Sequence, residues 1–268
     1  LEEIRDEDKI KGVILRINSP GGSATASEVI WQGVQRVAEE KPVWVSVGSM
    51  AASGGYYIAV GGDKIYVNPS SIVGSIGVVG GKIAMDGLYD KLKINVVERS
   101  RGPRAAIFRS TSPWTEQERS LVRTKMSETY DLFTKRVTMG REGIDLSKTA
   151  EGRLFTGDKA IGLNMADAVG SIDTAIDDMA KDRGLSEYDI MDYPGPKSLE
   201  EVLQDAFGGF AAAKTGAAGP GVLADLAAGA RAIVGEETWA QLQPAMAGLM
   251  QMRKEPVILM SPRVLIFR

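Results

Sequence analysis

The chain of 268 residues contains no histidine and no cysteine. The first absence excludes a Ser-His-Asp triad, a Cys-His dyad and any imidazole metal site. The second excludes a thiolate nucleophile, a zinc–thiolate cluster, iron–sulfur ligation and disulfides, and it selects no redox compartment. Any catalysis is left to Ser/Thr, Lys, Asp/Glu, Tyr, backbone N–H groups or a cofactor. The chain also lacks a run of about 18 apolar residues of the kind that spans a bilayer. The amino-terminal LEEIRDEDKIKG is a charged segment, not a signal peptide, and it reads as if the chain begins inside a domain. With a net charge of −3 and no Lys/Arg block, nothing favours nucleic acid as a partner.

What is present describes a globular protein. Hydrophobic residues at 44% and charged residues at 25% suffice for a packed core, and 31 glycines point to tight turns and close backbone approaches. Short apolar runs at 11–17 (KGVILRI), 42–48 (PVWVSVG), 64–67, 72–79 and 94–98 read as strands. Between and after them lie helical patterns at 23–39, with Val29, Ile30, Val34 and Val37 on one face, and from Ser49 through residue 60. A long helix over 115–139 opens on Thr115 and Glu118 at capping-box spacing, with Val122, Met126, Tyr130, Phe133 and Val137 as its apolar stripe. Helices near 156–163 and 172–181 and a strand at 188–192 follow. The alternation predicts an α/β domain with largely parallel pairing over residues 1–206. Residues 207–268 form an Ala/Gly-rich extension: a flexible link around 208–221, a helix near 236–252, and short strands at 256–260 and 263–268.

Two segments carry chemistry. Arg16-Ile-Asn-Ser-Pro-Gly-Gly22 directly follows a strand, and Met50-Ala-Ala-Ser-Gly-Gly-Tyr-Tyr57 lies at a strand-to-helix junction. A serine at a helix start, flanked by Ala and Gly, has little steric cover, and the helix amides favour developing negative charge. Gly-Gly after a strand lets backbone N–H groups approach a ligand closely. Ser53 with the Gly21 and Gly22 amides is therefore a candidate nucleophile and oxyanion hole. The same small residues equally suit tight helix–strand packing.

The ordered motifs Asn18-Ser-Pro-Gly-Gly22, Ala51-Ala-Ser-Gly-Gly-Tyr-Tyr57 and Gly74-Ser-Ile-Gly-Val78 resemble the S49 serine peptidases, the signal peptide peptidase A (protease IV) group. Leu154-Phe-Thr-Gly157, Gly162-Leu163 and Ala168-Val169-Gly170 extend the resemblance over residues 8–185. It implies a Clp protease/crotonase-like superhelix of ββα units and a Ser–Lys dyad without cofactor or metal. Ser53 matches the nucleophile, and Ser75 matches the serine that hydrogen-bonds the dyad lysine. Gly21, Gly22 and Gly54 match the substrate-binding amides, with Gly22 and Gly54 as oxyanion donors. The resemblance further implies signal-peptide remnants or other unfolded apolar peptides as substrates, a homo-oligomeric ring, and a membrane-associated protein with its catalytic part on the extracytoplasmic side. A crotonase-like acyl-CoA enzyme fits less well, because it gives Ser53 no role.

The dyad lysine is expected after the 94–98 strand, where this chain reads Ser100-Arg-Gly-Pro-Arg-Ala-Ala106; Arg104 stands at its approximate position, and no lysine lies between Lys93 and Lys125. A guanidinium stays protonated and cannot act as a general base, whereas a desolvated lysine can. The leading explanation is that the chain is the carboxy-terminal half of a double-length peptidase, with the lysine supplied by the upstream half or a neighbouring subunit. Lys82 or Lys93 as the base, and a non-catalytic scaffold or oligomerisation half, are the alternatives. The Arg99/Arg101/Arg104/Arg109 loop and the terminal apolar segment 264–267 are candidate interface elements.

Overall fold

The computed structural model describes residues 1–193 other than Pro103, together with the strand Val257–Met260. The chain divides into two compact units, and the elements below belong to the unit formed by Leu1–Gly184 and Gly248–Phe267. In chain order they are α1 (Glu2–Asp6), β1 (Val13–Ser19), β2 (Gly21–Ser23), α2 (Ala24–Ala38), β3 (Val43–Ala52), α3 (Gly54–Ala59), β4 (Lys64–Val67), β5 (Ile72–Gly74) and β6 (Val79–Gly80). Then come α4 (Asp86–Leu92), α5 (Glu116–Gly140), α6 (Leu146–Thr149), β7 (Leu154–Thr156), α7 (Gly157–Gly162), β8 (Ala168–Val169), α8 (Ile172–Asp182) and β9 (Val257–Met260).

β3 is the spine of a six-stranded sheet ordered β7-β5-β3-β4-β8, with β1 also paired to β3. β1, β4 and β5 run parallel to β3, and β8 runs parallel to β4, while β7 is antiparallel to β5. The first part of β3, Val43–Val47, pairs with β1, and its last residues, Met50–Ala52, pair with β5. A strand with parallel neighbours and helices on both faces is buried throughout, which is why its first six residues read as a continuous apolar run with one serine. Side chains alternate between the faces. Val43 packs with Ile4, Val34 and Val37 beneath α2, whereas Trp44 and Tyr66 pack with Ala175 and Met179 of α8. A second sheet has the order β2-β9-β6.

Serine and threonine caps set the helix starts. Ser23 accepts from the Ala26 amide at the head of α2. Thr115 and Glu118 form the expected capping box on α5, reciprocally satisfying two amides. Val122, Phe133 and Val137 of the α5 stripe are buried, and Met126 and Tyr130 are half-buried.

Several local expectations are corrected. β3 continues as strand to Ala52 where a helix was expected from Ser49, because β5 extends the parallel ladder to the residue before Ser53. The predicted 72–79 strand is two strands in different sheets, broken at Ser75, whose φ is 52°. Residues 94–98 form no strand: all are exposed, and strand propensity without a pairing edge does not hold a ladder. Residues 188–192 are likewise not strand. On α2 the buried face is Trp31, Gly33, Val34 and Val37, with Val29 and Ile30 exposed. The short strand expected at 256–260 is present as β9, whereas those expected at 263–268, the 236–252 helix and the 208–221 link lie outside the described residues.

Candidate active site

β3 and β5 end side by side, with Ala52 paired to Gly74. Neighbouring strands lie about 4.8 Å apart, so the next residues, Ser53 and Ser75, leave the sheet at the same level. Both have φ of 52°, a region costly for any residue with a side chain. At Ser53, with ψ of −116°, the turn is held on both sides: its N–H donates to the Gly74 carbonyl at 2.8 Å, and its carbonyl accepts from Tyr57 N in the first turn of α3. At Ser75, the N–H donates to the Arg153 carbonyl at 2.7 Å. The strain persists because hydrogen bonds from distant segments over-determine it.

Both hydroxyls are fully buried, and neither Ser53 Oγ nor Ser75 Oγ has a hydrogen-bond partner. Trp31 Nε1 is the other such side-chain atom among the described residues. Buried polar groups are overwhelmingly paired, so two unpaired hydroxyls at two adjacent strained strand ends mark a site rather than a packing detail.

The glycine turn reaches this point from β1. Asn18 Oδ1 accepts from Ser49 Oγ at 2.6 Å and from Met50 N at 3.2 Å, tying the NSPGG segment to β3 where the β1–β3 register shifts. Gly21, at φ of 107°, adopts a conformation that glycine alone takes cheaply, and its N–H donates to Ser19 Oγ at 3.1 Å. A side chain on Gly54 would start 2.5 Å from Ser27 Oγ, 3.3 Å from Gly22 N and 3.4 Å from Gly21 Cα. One on Gly55 would start 2.8 Å from the Ser19 carbonyl oxygen. The structure thus brings Gly21, Gly22, Ser53, Gly54 and Ser75 together. The packing and chemical readings of the small residues hold at once: the glycines are small because α3 sits directly on β2, and that contact sets the Gly22 and Gly54 backbones side by side.

The sequence matches Peptidase family S49 over residues 35–186. The chain belongs to this family. It is 35% identical over 179 residues to the chloroplastic serine protease SPPA of Arabidopsis thaliana, covering 66% of this chain and 26% of that protein. It is 34% identical over 181 residues to Protease 4 of Haemophilus influenzae, covering 66% and 29%, and 30% identical over 214 residues to Protease 4 of Salmonella typhi, covering 78% and 34%. The chain therefore spans well under two-thirds of the length of these relatives. S49 membership implies a Clp protease/crotonase-like α/β fold, with which the mixed sheet and its flanking helices are consistent.

For this S49 chain, no lysine among the described residues bonds either serine. Lys82 Nζ donates instead to the Ile107 carbonyl at 3.2 Å and lies 5.5 Å from the centre of the Trp114 ring. Burial holds its pKa below the ordinary lysine value. Lys93 is the exposed, left-handed cap of α4, and Arg104 is exposed. Within the described residues no helix is long and apolar enough to cross a membrane, and no cluster of acidic side chains has metal-ligand spacing.

Sequence reasoning missed the brace behind α3. Glu28 on α2 accepts from Arg136 of α5 at 2.6 and 3.2 Å and from the Tyr57 hydroxyl, while Arg136 also lies 4.0 Å from the centre of the Trp31 ring. Burial alone would raise the Glu28 pKa, but the hydrogen bonds from Arg136, Tyr57 and Gln32 outweigh it and hold the carboxyl below its ordinary value. Burial, reinforced by Glu28, pushes the Tyr57 hydroxyl well up. The brace joins residues far apart in sequence, so no local pattern announces it. Asn18 was findable, as it sits inside the glycine motif.

Proposed function

We propose that this chain carries the nucleophile and oxyanion half of a Ser–Lys serine endopeptidase built on a superhelix of ββα units. The reading rests above all on Ser53, strained, buried and unpaired at the strand-to-helix junction beside Ser75. A neutral lysine from an upstream half or a neighbouring subunit takes the Ser53 proton, with Ser75 Oγ holding that amine by a hydrogen bond. Ser53 Oγ attacks the peptide carbonyl carbon, and the Gly22 and Gly54 amides, with Gly21 shaping the turn, receive the oxyanion. The lysine then returns the proton to the leaving amine, and water hydrolyses the acyl ester.

Extended apolar peptides, signal-peptide remnants among them, suit the surroundings. A cavity of about 420 Å³ lined by Val78, Trp114, Val122, Met126 and Tyr130 opens next to the start of β6. The assembly we favour is a homo-oligomeric ring at a membrane, with the sites on the extracytoplasmic side. A second reading, a non-catalytic scaffold half, draws on the exposed Arg104 where the family pattern expects lysine.

Hydrolysis of an apolar peptide by the natural protein carrying this chain separates the two. Ser53→Ala should reduce turnover on the order of 10^4-fold while leaving the melting temperature in place. Undiminished turnover would leave the scaffold reading standing.

A further inference from the structure

The second sheet contains a strand from far along the chain. β9 lies between β2 and β6 and is antiparallel to both. Its residues pair as Met260 with Gly21, Leu259 with Gly22 and Ile258 with Ser23 on one side, and as Ile258 with Val79 and Val257 with Gly80 on the other. Ile258 is thus held from both edges. β2 is the glycine turn of the site, and β6 begins four residues after Ser75. In this sheet β2 and β6 meet only through β9. Two strand edges separated by the width of one strand, about 9.6 Å at two inter-strand spacings, form a slot that fits a single extended peptide. Adding a strand to such edges is a common mode of peptide recognition, with main-chain hydrogen bonds supplying affinity.

The slot runs past the nucleophile. Leu259 pairs with Gly22, whose amide nitrogen lies 3.3 Å from where a Gly54 side chain would begin, and Gly54 directly follows Ser53. Ser53 is fully buried, so an incoming peptide carbonyl reaches its Oγ only after something moves. β9 is the element placed to move. It contributes nothing to the six-stranded sheet, and residues 194–256, including the Ala/Gly-rich stretch, separate it in sequence from the last described residue before it.

We propose that Val257–Met260 is a resident pseudosubstrate: the chain's own strand fills the groove that receives peptide and must leave before an external peptide binds. This rests on the reading of the groove as a peptide site, but it concerns occupancy rather than catalysis, so it is tested by binding in a Ser53→Ala background. The probe is a fluorescein-labelled synthetic peptide of residues 254–262, KEPVILMSP. The variant is Ile258→Pro, because proline removes the ladder N–H and does not fit a strand paired on both sides. A groove occupied nine-tenths of the time by its own strand weakens apparent affinity about tenfold. Ile258→Pro should therefore bind the peptide about tenfold more tightly than the parent, and a scrambled peptide should bind neither protein. Amide hydrogen exchange at Ser23 and Val79 should speed up in the variant and slow again when peptide is added, with Val45 and Val47 of β3 unchanged.

Equal affinity for parent and variant, or unchanged exchange at Ser23 and Val79, overturns the proposal. If Val45 and Val47 also lose protection, the comparison passes to a chain ending at Pro256, for which the same two outcomes decide. Should Ser53→Ala leave hydrolysis intact, the catalytic reading fails, and the binding difference still reports on β9.

Discussion

The strand ends that carry Ser53 and Ser75 and the segment from residue 81 to 113 contrast at every level of structure. The first region is anchored in register by β1, β3, β5 and β7, is buried, and holds two strained serines with hydrogen bonds from the Gly74 and Arg153 carbonyls. The second has little core. α4 buries none of its residues, positions 91–100 are all exposed, and Ile83, Leu92, Ile94, Val97 and Phe108 present apolar side chains to solvent. Its ties are few: Met85 N to the Ser110 carbonyl, and Lys82 and Trp114 Nε1 to the Ile107 carbonyl. A nucleophile needs a fixed position to about half an ångström, and the sheet supplies it. The region where a dyad lysine is expected supplies only an exposed arginine. The contrast teaches that one half of the chemistry is preformed by the fold of this chain, independently of whatever brings the base.

Substitutions sharpen the contrast in descending order of effect. Ser53→Ala, with its loss on the order of 10^4-fold in turnover, strikes the preformed side directly. Gly54→Ala comes next. Its methyl group would meet Ser27 Oγ at 2.5 Å and the Gly22 amide at 3.3 Å, so either α3 or the glycine turn must shift. Peptide hydrolysis should fall about 100-fold, as when an oxyanion donor is displaced, and stability should drop by about 1–3 kcal/mol in urea titrations.

Glu28→Gln probes the brace behind α3. Losing a charged hydrogen-bonding partner of Arg136 and Tyr57 should cost about 1–2 kcal/mol, read from thermal melts at pH 7. The pH dependence has a definite sign. Because the folded-state pKa of Glu28 lies below its ordinary 4.5, its contribution is full above that value and is lost as pH falls through the folded pKa. The wild-type protein should therefore lose melting temperature more steeply than Glu28→Gln below about pH 4.5, and the two curves should converge in acid. Parallel curves would mean that the carboxylate does not brace α3.

Arg104→Lys should do almost nothing. An exposed position carries a stability change within about 0.5 kcal/mol, and a lysine placed there in this chain alone should not raise peptide hydrolysis. A clear gain would break the comparison, since it would mean that the 81–113 segment reaches Ser53 unaided.

What was legible in the sequence follows the same division. The strand, glycine turn and helix around Ser53 are local, so Gly21, Gly22, Ser53 and Gly54 were readable from residue types and spacing, with Ser75 added by family resemblance. The exact course of β3 and β5 was not. Ser49–Ala52 is small-residue sequence that suits a helix start, and only pairing with β5 keeps it extended. Ser75 interrupts an apolar run because its amide is claimed by the Arg153 carbonyl, a partner 78 residues away that no window of sequence contains. The 94–98 run has the composition of a strand but no edge to pair with. β9 shows the reverse case: its strand character was legible at 256–260, while its neighbours, the glycine turn and the segment after Ser75, emerge only in three dimensions.

Covalent labelling addresses the central claim most directly. The natural protein carrying this chain would be treated with a fluorophosphonate, digested and mapped by mass spectrometry. The account predicts an adduct on Ser53, lost in Ser53→Ala and present in Arg104→Lys. An adduct on a different residue, or labelling that survives Ser53→Ala unchanged, would contradict it.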